Sequence, residues 1–180
     1  MTMPVEDPWG VTPDATGRAV RRRPPGRLPD GVGRQSLALL GWALLACLVT
    51  MVPVPLFGWL GELGARDDPG DWVELGGWLH GSVVGLFVMA VGWIALAALA
   101  FRTHGLLPVW PLLGIASGAV GLFAFSRAPS AGAAVVGHLV AAAGLLVSTA
   151  LCAPAWTRPP ARWLLVGLAA VLLVAAVVLS

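Results

Sequence analysis

The sequence predicts an all-α integral membrane bundle of about five transmembrane helices, N-terminus in and C-terminus out, behind a polar N-terminal arm. Three observations predict it. The chain of 180 residues is 58% hydrophobic and 11% charged, with a mean hydropathy of +0.85. An ordinary soluble domain is about 25% charged, and a water-soluble fold of this size lacks the interior to hide so much apolar surface. The apolar residues fall into five long runs, each near the roughly 17–25 residues that a span takes. The arginines gather at alternate ends of those runs.

The arm comes first. Residues 1–34, MTMPVEDPWGVTPDATGRAVRRRPPGRLPDGVGR, are rich in Pro, Gly, Asp and Arg and carry no helical or strand periodicity. That composition reads as a disordered cytoplasmic segment. It is not a secretory signal, because the apolar run that follows starts too late and is too long for an h-region. Arg21, Arg22 and Arg23 are followed by prolines, with no small-residue cleavage site, so a twin-arginine signal is not read there either.

The spans are expected at residues 36–60, 77–101, 106–125, 131–152 and 163–180. Each is helical, since an isolated strand would leave its N–H and C=O groups unpaired in lipid. Pro53 and Pro55 sit near the far end of the first. The links after the second and third are short, which makes those neighbours antiparallel hairpins. Orientation follows from arginine bias. Arg18, Arg21, Arg22, Arg23, Arg27, Arg34, Arg102, Arg158 and Arg162 fall on one side and only Arg66 and Arg127 on the other, nine against two. The N-terminus is therefore expected in the cytoplasm. The chain has no Lys, Asn or Tyr, and its basic residues are all Arg. That bias points to a GC-rich genome, and the topology is read as that of a multi-pass inner-membrane protein.

Residues 58–80, GWLGELGARDDPGDWVELGGWLH, hold five of the nine acidic residues. In this topology they form the main extracytoplasmic loop, where acid is tolerated. Trp59, Trp72 and Trp78 then bracket the outer interface and Trp110, Trp156 and Trp163 the inner one, the pattern of an aromatic belt.

Chemistry is bounded mainly by what is missing. After Glu74 there is no Asp, Glu or Lys, and none of the expected spans holds a carboxylate. Proton relays and cation paths use intramembrane carboxylates, so a carboxylate-driven transporter or enzyme is not expected. No catalytic residue and no metal site are assigned. His80 and His138 fall in the outer halves of the second and fourth spans. They are read as helix-packing or interface imidazoles, with axial ligation of haem b as the alternative. His104 is placed at the inner surface. Cys47 and Cys152 lie in apolar runs without ligand spacing and read as small hydrophobes. Gly114, Ser117 and Gly118, in GIASG, resemble a rhomboid protease element. Ser117 and His138 lie on consecutive spans, however, whereas the rhomboid pattern places a further helix between them. A small-residue packing face is the simpler reading, as it is for Gly81 and Gly85 in the second span. The arginine arm suits anionic inner-leaflet lipid. No nucleic-acid-binding pattern is present.

Two stretches carry a resemblance. LGELGARDDPGDWVELGGWLHGSVVGLFVMAVGW and GLFAFSRAPSAGAAVVGHLVAAAGLL, together covering about residues 58–146, resemble a bacterial membrane family known as domain of unknown function 998. Glu62-Leu63-Gly64 follows the family's motif after the first span, with Gly61 where Ser is usual. His138 matches a histidine opening the fourth span. Arg127-Ala128-Pro129 replaces the usual acidic Asp-Pro. The family has six spans where five are read here, which implies a lipid-facing gap or a site for a partner. The functional expectation is a non-enzymatic membrane component that packs with a partner protein, with further copies of itself, or with lipid of the bilayer. The alternative is a small b-type cytochrome or redox subunit with bis-His ligation by His80 and His138.

Overall fold

The computed structural model describes residues 11–13, 19–21, 28–65, 71–126 and 131–180. The described chain is all-helical apart from one short pair of strands, β1 (Val11–Pro13) and β2 (Ala19–Arg21), which run antiparallel with Thr12 opposite Val20. The arm's composition did not predict this pairing; Val11, Thr12 and Val20 are β-formers embedded in turn residues. The rest of residues 1–27, where disorder was expected, lies outside the described residues.

Six helices follow: α1 (Val32–Met51), α2 (Pro53–Ala65), α3 (Asp71–His104), α4 (Trp110–Ser126), α5 (Ala131–Cys152) and α6 (Pro159–Leu179). Four helical runs are long and apolar enough to cross a membrane: Val32–Ala65, Leu75–His104, Gly132–Cys152 and Pro159–Leu179. With α4, whose 17 residues sit at the lower limit of about 17 for a span, the all-helical class with four to five helices able to span a membrane is the one expected.

The boundaries differ from the reading in instructive ways. The first span does not stop at residue 60. Pro53 has no N–H to give to the preceding turn and its ring crowds the carbonyl four residues back, so the helix breaks at Val52. It resumes as α2, and α1 and α2 together form a 34-residue run. The second helix starts at Asp71, not residue 77, and also has 34 residues. At ~1.5 Å per residue each run is about 51 Å long, well beyond the ~30 Å hydrocarbon layer. Part of what was read as loop is therefore paired helix. At the other end, Gly105 adopts φ +67° and ends α3, its N–H bonding to Phe101 O at 3.0 Å, the left-handed cap that glycine supplies. A turn around Pro108 then delays α4 to Trp110 rather than residue 106. α6 opens on Pro159 and Pro160, where missing N–H groups cost nothing.

α2 and α3 form one tight hairpin, and α4, α5 and α6 pack in sequence beside it. α1 touches both groups. One cluster joins α1, α5 and α6 through Leu39, Ala43, Leu146, Ala150, Leu165 and Ala169. The other gathers Trp42, Trp93 and Trp110 from α1, α3 and α4. Outward faces are apolar: Phe87, Ile94, Val177 and Val178 are each at least 70% exposed, as a lipid-facing surface requires.

One end of the bundle is tied together. Leu107 N–H donates to Cys152 O at 3.0 Å, Arg158 N–H to the Gln35 side-chain oxygen at 3.0 Å, and Trp42 Nε1 to His104 Nδ1 at 3.1 Å. Arg162 donates to the carbonyls of Ala153 and Pro154, which follow α5. The start of α1, the α3–α4 link and the α5–α6 link thus share one end, as the arginine grouping anticipated.

Candidate functional site

The break at Val52 also shapes the one candidate site. Above it α2 follows α3, while α4 and α5 pack against each other, and a cleft of about 530 Å³ opens between the two pairs. Thr50, Met51, Val54 and Pro55 line it from the kink, Trp59 and Glu62 from α2, and Trp78 from α3. Gly118 and Gly121 line it from α4, and Gly137, His138 and Ala141 from α5.

Small residues set its walls. Gly77, Gly81 and Gly85 form a stripe on α3 at a spacing of four, which puts them on one helix face. A Cβ built on Gly81 would overlap the carbonyl oxygen of Phe57. One on Gly77 would lie 2.5 Å from Gly61 O and one on Gly85 2.7 Å from Pro53 O. Backbone meets backbone here, the close approach that small residues permit between helices in lipid. On α4, the space a Cβ would take at Gly114 is filled by the Trp93 ring, and at Gly118 by the Thr50 methyl. Ser117 faces Gly144, its hydroxyl donating to Leu113 O at 2.8 Å. Gly81, Gly85, Gly114, Ser117 and Gly118, the residues assigned to packing, therefore all sit at helix–helix contacts. Ser117 is bonded back onto its own helix, which gives it no nucleophile geometry.

The polar content of the cleft is sparse. The Thr50 hydroxyl accepts from Trp93 Nε1 at 3.1 Å. His138 Nδ1 bonds Ala134 O at 2.7 Å on its own helix. Glu62 is half-buried, and among the described residues its carboxylate makes no hydrogen bond or ion pair. His80 makes the same i−4 bond as His138, Nδ1 to Gly76 O at 2.7 Å, but is exposed and is not among the residues lining the cleft. The structure thus brings His138, not His80, to this cavity. Among the described residues no group of three or more His, Cys, Asp or Glu is placed to hold a metal ion.

Two readings of the sequence are corrected. Glu62 was assigned to the outer loop. The helix instead continues to Ala65 and carries Glu62 into the cleft. The spacing Trp59–Glu62, three apart, was the available signal, but the proline pair read as a terminator. Trp110 was assigned to the interfacial belt. It is 1% exposed, with Nε1 donating to Thr149 Oγ1 at 3.1 Å, and its ring stands edge-on to Trp93 at 5.3 Å. Position near a span end does not say which way a ring turns. Trp59, Trp78, Trp156 and Trp163 are all more than 40% exposed, consistent with the belt; the side chain of Trp72, and Arg66 and Arg127, lie outside what is described. Cys47 and Cys152 are free thiols, half-buried and buried.

Compared with known proteins, the chain matches no family model, no curated protein and no solved structure.

Proposed function

We propose that this chain is a non-enzymatic multi-pass membrane component that binds lipid, or the helix of a membrane partner, in the cleft between the α2–α3 and α4–α5 pairs. The observation that carries the reading is the cleft itself. It has the volume of a small-molecule site, about 300–1,000 Å³, and its walls are almost wholly apolar. Kinship with the family of unknown function 998 remains part of the proposal and rests on the Glu62-Leu63-Gly64 motif and His138. The bonded end of the bundle, carrying Arg102, Arg158 and Arg162, is assigned to the cytoplasm of a bacterial cell by the arginine bias. A fluorescent reporter fused after Ser180 is expected to stay dark, and an alkaline phosphatase fused there to be active; the reverse pair reverses the topology.

Purification of the full chain in mild detergent, followed by native mass spectrometry, tests the binding role. Bound lipid or a stoichiometric partner is expected. A bare monomer at every detergent concentration overturns the proposal. The same preparation tests the second reading, a b-type cytochrome with His80 and His138 as axial ligands. What favours that reading is the Nδ1 bond each imidazole makes to its own helix, since ligating histidines are commonly oriented by such a bond. A Soret band lost in both His80→Ala and His138→Ala would support it; no band after haem-replete expression ends it.

A further inference from the structure

We propose that the occupant of the cleft is a single-tailed amphiphilic cation, its ammonium head held by Glu62 between Trp59 and Trp78 and its tail directed towards the α1–α2 kink. This rests on the lipid-binding branch of the reading above and names the chemistry it selects.

The lining is graded. At one end stand Thr50, Met51, Val54 and Pro55, beside the kink, with Gly118 packed on Thr50. The Thr50 hydroxyl is already engaged by Trp93, so this end presents apolar surface. Glu62 lies eleven residues beyond Met51 in the sequence, or about 16 Å along a helix axis. Trp59 lies three residues before it on the same face of α2. Trp78 reaches across from α3, its Nε1 2.9 Å from where a Cβ on Gly58 would stand, and Gly58 is one turn before Glu62. One carboxylate and two indoles therefore line the same part of the cleft, away from the kink.

Charge decides the head group. Among the described residues, Glu62 is the one acidic side chain on the lining, and no arginine lines it. A half-buried carboxylate beside apolar walls, with no cation bonded to it among the described residues, favours a positive group that reaches it. Indole faces attract cations and do so best where water is thinned. His138, the other titratable group on the lining, is held through Nδ1 by Ala134 O on its own helix. An anionic head would be repelled by Glu62, and a neutral one would bring it no counter-charge. The volume, about 530 Å³, fits one tail and a compact head better than a two-chain phospholipid.

The test uses the full chain in neutral maltoside detergent, immobilised on scintillant beads, with three radiolabelled probes sharing one tail: hexadecyltrimethylammonium, hexadecanol and hexadecyl sulfate. Beads without protein give the micelle background. Saturable binding of the ammonium probe is expected, about tenfold tighter than hexadecanol, with the sulfate weakest. E62Q should bring the ammonium probe down to the level of hexadecanol and leave hexadecanol itself unchanged. E62D should restore most of the difference, and W59A and W78A should each cost the ammonium probe about fivefold. Equal binding of ammonium and hexadecanol, or an E62Q protein that keeps the preference, overturns the cation assignment while the lipid-binding reading stands. Saturable binding of none of the three probes removes both. Thermal midpoints monitor folding. If E62Q does not fold, a folded W78A protein with undiminished ammonium binding overturns the assignment equally.

Discussion

Gly81→Leu is expected to separate α2 from α3 and to destabilise the protein by about 3 kcal/mol or more, the upper end of what overpacking costs. The reason is the identity of the neighbour. A Cβ at position 81 would meet the Phe57 carbonyl oxygen and carbon and the Gly58 Cα, all backbone. A flexible side chain could swing aside, but a helix backbone moves only as a body. The stripe is continuous, with Gly77 on Gly61 and Gly85 on Pro53 and Val54, so displacement at one point opens the others. In lipid no hydrophobic force holds two helices together; close packing and short backbone contacts do. Gly76→Ala is the control. It is on the same helix, yet nothing lies within 4 Å of its Cβ position, and alanine is a better helix former by about 1 kcal/mol. Thermal midpoints in one detergent should therefore fall steeply for Gly81→Leu and hold or rise for Gly76→Ala. Equal midpoints would mean that the hairpin is not held by this stripe.

That hairpin also shows how far the sequence could be read. Long apolar runs announce helices in lipid whatever their partners, so the bundle and its five segments were legible. So was the grouping of the start of α1, the α3–α4 link and the α5–α6 link at one end, because arginine placement responds to the membrane rather than to packing. The length of α2 was not legible. Gly58, Gly61 and Gly64, after Pro53 and Pro55, have the poorest helix propensities available, and locally they spell a loop. They are helical because α3 offers a matching row of glycines more than a dozen residues away, a tertiary cause that no local pattern carries. With the boundary went the site. Glu62 in a loop is one more solvated acid, whereas Glu62 on a helix three residues after Trp59 faces a cleft. The histidines failed differently. His80 and His138 were expected in the outer halves of their spans, but helical phase decides which one meets the cavity, and a helix that is apolar nearly all round gives no phase to read.

Trp93→Ala is expected to cost about 3–5 kcal/mol, the range for removing a buried tryptophan, and its neighbours specify the cause. The ring is 1% exposed. Its Nε1 donates to Thr50 Oγ1 at 3.1 Å and its face meets the edge of Trp110 at 5.3 Å and 74°. Its far edge occupies the place of the missing side chain at Gly114, the nearest atoms being Cη2 and Cζ2 of the six-membered ring. Truncation leaves a void between α3 and α4 and strands Thr50 at the kink that shapes the cleft, so ligand binding should weaken along with stability. A partial swap separates shape from size. Gly114→Ala alone pushes against a ring with nowhere to go and should be destabilising by about 1–3 kcal/mol. Phenylalanine is shorter at the edge that fills position 114, so Gly114→Ala in a Trp93→Phe background should be nearly neutral. The double-mutant coupling between the two sites is then about 1–2 kcal/mol, within the range for residues in contact. Additive effects of the two substitutions, read from thermal midpoints, would show that α3 and α4 do not meet through this ring, and the wall of the cleft would have to be drawn elsewhere.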